Sequence, residues 1–251
     1  MNRRTLARLF WLGVTLIASA CSTSYEGLSD RRSIQFRPPD RRTVADAVQL
    51  FGPMARSRLA ADFTAAGASY PPPSITLLAI KDAALLELWV GSEAQPTYIK
   101  TYQVRALSGG AGPKLREGDG QVPEGIYRIE SLNPNSAFHL SLKLDYPNAF
   151  DRATALLEAR DEPGSDIFIH GSASSIGCLA MGDVAIEELF VLTSDTGRDN
   201  VRVVIAPSDP RRAVLAPRAD LPWTLWLYEL IDVEFRKYPR ATSATAQPSA
   251  T

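Results

Sequence analysis

Two residues of this 251-residue chain combine type and spacing in a way that suits covalent catalysis. Cys178 is the only cysteine after position 21, and His170, one of two histidines, precedes it by eight positions. A thiol with its ordinary pKa of about 8.5 is only a few per cent ionised at neutral pH, so a nucleophilic cysteine needs a neighbour that takes its proton. Imidazole suits that task. The residues between them, Gly171-Ser172-Ala173-Ser174-Ser175-Ile176-Gly177, are nearly all small, so a strand ending at His170 can be followed by a loop that sets Cys178 against the ring. Gly177 permits close backbone approach and leaves main-chain N–H groups near Cys178 free to face a developing oxyanion. Taken alone, such a pair is equally compatible with packing, the thiol serving as a small hydrophobe.

Composition narrows the alternatives. The chain has 45% hydrophobic and 22% charged residues, which fits a globular protein with a sizeable core and excludes disordered, collagen-like and multi-span membrane classes. With 27 basic and 28 acidic side chains the net charge is -1, so no overall positive field argues for nucleic acid. A catalytic zinc takes three protein ligands, commonly His and Cys, which the chain can hardly supply; neither a metal nor another cofactor is expected. A thiol redox protein would want a Cys-x-x-Cys pair, and there is none.

The N-terminus reads as an address. Arg3, Arg4 and Arg8 precede an uncharged run from Leu9 to Ala20, too short to span a bilayer, and Cys21 follows Ala18-Ser19-Ala20 directly. Positive start, apolar middle and small residues at the end make a secretory signal over 1–20, and the cysteine after it resembles a bacterial lipobox. Cys21 would then be lipidated and the protein held to a membrane through a lipid anchor only. Ser22 in place of Asp resembles an outer-membrane sorting signal, facing the periplasm. In that setting Cys178 is the one free thiol in a compartment where unpaired cysteines tend to oxidise, which argues for a use of the thiolate.

The elements that must position the pair follow from patterning. Residues 21–42 are polar, with two basic pairs and Pro38-Pro39, and read as a flexible linker. A helical segment occupies 43–73: Gly52-Pro53 opens a pattern with Ala55, Leu59, Phe63 and Ala66 on one face, and Gly67 stops it. Over 74–206 short apolar runs alternate with turns, predicting strands at 75–80 and 85–90 around a Lys81-Asp82 hairpin, then at 98–106, 126–129, 138–144, 167–169 and 201–205. Between 184 and 192 a short helix is predicted with Asp183 as N-cap. The segment 207–238 carries a longer helix starting at Pro222, with Trp223, Trp226, Leu227, Leu230 and Ile231 in helical register and packed on the β domain. Residues 239–251 read as a disordered tail. The fold class is mainly β with peripheral helices, α+β.

With the elements laid out, the chain resembles the L,D-transpeptidase (YkuD-type) catalytic domain family, whose signature is a His-Gly followed by Ser-x-Gly-Cys. Here these are His170-Gly171 and Ser175-Ile176-Gly177-Cys178, and the Gly-Cys-Leu-Ala-Met ending resembles the YafK-like branch. Supporting stretches occur in order: Ser108 to Lys114, Gly118-Asp119-Gly120, Pro123 to Tyr127, Phe138 to Ser141 and Asp145 to Asn148. The resemblance implies a β-sandwich-like catalytic fold and a thioacyl-enzyme on Cys178, formed at the L,D bond of diaminopimelate in peptidoglycan stem peptides. It implies His170 as general base and then acid, Gly171 as the carbonyl that orients the ring, and Ser175 as support for the loop. Transferase and hydrolase both fit, the latter releasing a murein-attached lipoprotein or peptide; a non-catalytic binder tethering the outer membrane to murein is the alternative from another class. Members mostly carry His where this chain has Ile176, and many carry Arg or Asn where it has Ala180. His139, Lys114, Arg116, Arg128 and Tyr127 are the candidates for substrate contact. Gly118-Asp119-Gly120 lacks the further ligands of a calcium loop and reads as a turn.

Overall fold

The computed structural model describes residues 41–239; the expected signal, Cys21, nearly all of the linker and the tail beyond Pro239 lie outside the described residues. Along β1 (Ile75–Ile80) the two faces of the pleat meet different cores. Leu77 and Ala79 enter one, Leu78 and Ile80 the other, so the whole strand is buried and its sequence is a continuous apolar run. β2 (Leu85–Val90) returns antiparallel through the predicted hairpin, β3 (Thr97–Gln103) pairs with β2, and β9 (Val201–Ala206) lies parallel to β1.

From β9 the sheet continues through β5 (Gly125–Asn133), β6 (Ser141–Leu144), β7 (Phe168–His170), β8 (Leu179–Ala180) and β4 (Ala106–Leu107), nine strands in the order β3-β2-β1-β9-β5-β6-β7-β8-β4. Gly125 to Arg128 pair with β9, and after them β5 pairs with β6, with a register shift between Ile129 and Ser131. Such an irregularity bends a strand, and here it accompanies the curling of the sheet into a half-barrel. α1 (Val44–Ala65) and α3 (Asp183–Thr196) cover the first core, with Leu59, Phe63, Ile186 and Phe190 fully inside. α4 (Thr224–Arg236) covers the second, and α2 (Ala149–Leu157) stands between β6 and β7. The architecture is α+β, mainly β with peripheral helices.

Several local expectations need correction. α1 begins at Val44, not at Gly52-Pro53. Thr43 and Asp46 form a reciprocal capping box there, and the helix tolerates Pro53, which forgoes one backbone bond. The last linker residues are held too: Arg42 exchanges two backbone hydrogen bonds with the Asn135 amide, and its guanidinium lies over the Phe51 ring. α3 has Gly182 as N-cap, so Asp183 is its first residue and its carboxylate instead accepts from Ser172 N. On α4 the buried stripe is Thr224, Leu227, Tyr228, Ile231 and Phe235, while Trp226 and Leu230 are about half exposed. Both stripes satisfy a 3.6 period; the choice falls to Tyr228, whose hydroxyl donates to the buried carboxylate of Glu124. α2 and β8 were not legible as elements, although Asn148 and Asp151 form a second capping box.

Candidate active site

His170 ends β7 and Cys178 immediately precedes β8, and these two strands are parallel, with Ile169 opposite Leu179 and His170 opposite Ala180. Side chains at paired positions share a face. Ile169 and Leu179 enter the core, so His170 and Cys178 lie together on the other face as diagonal neighbours, with Cα atoms roughly 8 Å apart by ordinary strand spacings. The loop of small residues between them makes this parallel crossover short.

The imidazole is held on two sides. Its Nδ1 is 2.6 Å from the Gly171 carbonyl oxygen, so Nδ1 carries the proton and Nε2 is the free basic nitrogen. Phe138 stacks on the ring at 4.6 Å between centroids. Gly171 is required by space: a Cβ there would meet Phe138 O at 2.6 Å and Asp183 Oδ1 at 2.7 Å. Burial pushes the His170 pKa down, partly offset by the Gly171 carbonyl, so the ring is neutral at neutral pH.

Cys178 is half-buried, and its Sγ lies 3.9 Å from the Asp166 carbonyl oxygen, not on the imidazole. Burial pushes the thiol up; the Phe168 backbone and the positive charge of Lys114 pull it part of the way back. The resting pair is therefore thiol and neutral imidazole, and not an ion pair. The Cys178 N–H donates to Ser175 Oγ at 3.0 Å, while the Ser175 hydroxyl donates back to the Cys178 carbonyl. Gly177, at φ +99°, donates its N–H to Ser108 Oγ. The two amides expected to face an oxyanion are thus engaged by hydroxyls, a correction with a plain cause: a half-buried N–H takes the nearest acceptor.

The loop between β4 and β5 forms the far wall of the site. The Asp119 carboxylate accepts from Leu115, Arg116 and Gln121 N–H and from Lys114 Nζ, closing the Gly118-Asp119-Gly120 turn. Burial opposes that charge, yet Lys114 and the three amides hold Asp119 below the usual carboxylate range. Beneath the loop Lys81, assigned by sequence only to a hairpin turn, is buried and donates to Gly112 O, Val122 O and Glu124.

The remaining candidates are not brought to the thiol as substrate contacts. Lys114 is buried with its ammonium committed to Asp119 and Arg116 O, and reaches Cys178 only through its charge. Tyr127 is 1% exposed, its hydroxyl donating to Glu124 O and Asp151, because β5 turns that side chain into the core. Arg128 points to solvent beside Ser74, Asn200 and Tyr238, at the start of β1 and β9 and three strands from β8. His139 sits at φ +73° in a turn, not on a strand, with Nε2 3.1 Å from Glu187 and its edge on Phe51. Sequence reasoning missed Phe138 and Ser108, whose roles depend on contacts across the fold. Among the described residues no group of three or more His, Cys, Asp or Glu could hold a metal ion.

Residues 79–205 match the family model of the L,D-transpeptidase catalytic domain, YkuD. YafK of Escherichia coli (strain K12) is 35% identical over 132 residues, 51% of this chain and 51% of its own length, and YafK of Escherichia coli O157:H7 matches equally. The chain thus spans about half the length of the curated relatives it matches. Among solved structures, the helical cell shape determining protein Pgp2 from Campylobacter jejuni is 20% identical with a TM-score of 0.45, over 54% of this chain and 48% of that one. Mycobacterium tuberculosis L,D-transpeptidase 1 is 10% identical with a TM-score of 0.31, over 53% and 62%. With the family model matched across β1 to β9 and the His170-Gly171 and Ser175-to-Cys178 segments inside it, the chain belongs to the L,D-transpeptidase (YkuD) catalytic domain family.

Proposed function

We propose that this protein is a cell-envelope cysteine enzyme that acts on the L,D bond at diaminopimelate of peptidoglycan stem peptides through a thioacyl-enzyme. One observation carries the reading: β7 ends on His170 beside the parallel β8, which Cys178 immediately precedes, with the ring's Nδ1 fixed on the Gly171 carbonyl and Nε2 left basic. Family membership supports the substrate class. The lipobox-like Cys21 adds a lipid anchor and an outer-membrane location facing the periplasm to the same reading.

In this scheme Sγ moves from the Asp166 carbonyl toward Nε2, gives up its proton, and attacks the diaminopimelate carbonyl. The C–N bond breaks, and His170 returns the proton to the leaving amine. A water then loses a proton to Nε2 and attacks the thioester; the acid departs, and the proton returns to Sγ. An acceptor amine in place of that water would give a cross-link. Hydrolysis is the favoured outcome, because Ile176 is exposed and apolar and Ala180 is buried, so neither offers a charge to hold an acceptor. Holding an amine in place is what lets aminolysis compete with bulk water.

The test incubates the full chain with sacculi that carry a covalently attached lipoprotein. Denaturing mass spectrometry should find an acyl adduct on Cys178, and product analysis should find protein or peptide released with diaminopimelate. New diaminopimelate–diaminopimelate cross-links without release would assign transfer instead, and the absence of any adduct on Cys178 would refute the mechanism.

A further inference from the structure

One residue along the chain from the carbonyl that Cys178 Sγ faces, Ser165 lines a cleft that the proposed reaction does not use. Its cavity of about 610 Å³ lies between the start of α2 and the turn before β7, lined by Glu117, Pro147, Arg152, Glu162, Pro163 and Ser165. The main chain joins it to the reacting sulfur: Ser165 N donates to Glu117 Oε2 in the cleft, and the carbonyl of the next residue, Asp166, is the group 3.9 Å from Sγ. His170 lies further along β7, so Cys178 stands between its base and this cleft.

The lining is mixed in charge. Arg152 is exposed and makes no ion pair among the described residues, while Glu117, Asp161 and Glu162 share its cavity. A guanidinium that leaves nearby carboxylates unengaged keeps both signs available to a ligand that carries both. Pro147 and Pro163 supply apolar surface between them.

We infer that this cleft receives a zwitterionic α-amino-acid terminus, carried on a short alkyl chain by the acylating substrate. Its carboxylate meets Arg152 and its ammonium meets the acidic side of the cleft, Glu117, Asp161 and Glu162. The inference rests on the proposed reaction, whose acylating residue, diaminopimelate, has such a terminus at the end of three methylenes. With bonds of about 1.5 Å that terminus lies roughly 6 Å from the acyl-bearing centre. Two residues of main chain, from Gly164 at the cleft to Asp166 at the thiol, cover about the same reach at roughly 3.8 Å per Cα step. The guanidinium fork suits a carboxylate in a way that a neutral donor would not.

The test measures binding in the full-chain Cys178→Ala variant, where turnover is removed, by calorimetry with two stem tripeptides. One carries diaminopimelate at the third position; the other carries lysine, which keeps the amine and lacks the carboxylate. The diaminopimelate peptide should bind about tenfold tighter, the worth of one charge-assisted contact. Adding Arg152→Ala should erase that preference, Arg152→Lys should restore part of it, and Glu162→Gln should weaken both peptides alike. A preference that survives Arg152→Ala, or no preference in the Arg152 protein, overturns the inference. The reaction itself is read separately as the adduct on Cys178 in the unsubstituted chain: Arg152-dependent binding without an adduct would retain the cleft and sink the mechanism, whereas an adduct with Arg152-independent binding would do the reverse.

Discussion

Strands β1, β2, β3 and β9 have six or seven residues each and pair along nearly their whole length, whereas β4, β6, β7 and β8 have only two to four. The first group is held by a backbone ladder and two cores. The second has shorter ladders and sends Leu142, Leu144, Ile169 and Leu179 into the first core, while the loops around it are held by side chains that reach backbone groups: Asp119 on three amides, Ser175 and Ser108 around Cys178, Asp183 on Ser172. Of the five non-glycine residues in the left-handed region among the described residues, Ala84 turns the β1–β2 hairpin and Ala159 follows α2, while His139, Asp166 and Ser172 fall beside Phe138, Cys178 and Gly171. Residues in sparsely populated conformations persist only where their surroundings over-determine them, and they concentrate at working sites. The longest ladders and the candidate chemistry therefore lie at different ends of one sheet, and substitutions should separate them.

The sharpest separation is expected at the thiol. Cys178→Ser should lower turnover on murein by about a thousandfold or more while leaving chemical denaturation within about 0.5 kcal/mol, since the change adds no cavity and breaks no ladder bond. His170→Ala should match it in turnover. In the unsubstituted protein the acid limb of kcat/KM should fall below the ordinary histidine range, because burial lowers the His170 pKa and activity needs the neutral ring. An equal loss of stability in Cys178→Ser would erase the distinction between the two ends.

At the other end, Leu77→Ala removes a side chain that is 1% exposed between β2 and β9, and should cost about 3 kcal/mol in urea denaturation. The kcat of the folded fraction should stay within about twofold. A large fall in kcat would show that the long strands tune the chemistry directly.

A smaller effect distinguishes the catalytic half by its buried charge. Asp151, in the α2 capping box, has its pKa raised to about 6, first by burial, with Asn148 N–H and Tyr127 opposing. A carboxyl with a raised folded-state pKa contributes stability that is present below its unfolded pKa and lost as pH rises through the folded value. Asp151→Asn, which keeps an acceptor for Asn148, should thus gain on the order of 2 kcal/mol at pH 7.5, an advantage that shrinks as pH falls through 6 toward 4. A gain independent of pH would mean that the charge is not the cause.

The sequence was read well where burial is two-sided or a motif is contiguous. Ile75 to Ile80 and Leu85 to Val90 have their predicted bounds, and the strand expected before His170 ends on it as β7. It was read poorly where a side chain's partner comes from elsewhere. Lys114 and Tyr127 look like ligand contacts in a sequence window, but Asp119 and the core claim them. Trp226 fits the same helical period as Leu227, and nothing local says which face of α4 meets Glu124.

What the amino-acid sequence determined by itself is the chemistry available: one midchain thiol, a histidine eight positions before it, glycines where the chain must turn, and apolar runs long enough to build a two-sided sheet. Only the tertiary structure decided how that chemistry is poised. The Gly171 carbonyl assigns the proton to Nδ1, burial keeps the pair neutral, and Ser108 and Ser175 occupy the amides beside the sulfur. The reason is physical: a side chain's type fixes which protons and charges it can exchange, whereas its pKa and its partners depend on desolvation and hydrogen bonds contributed by residues distant in sequence.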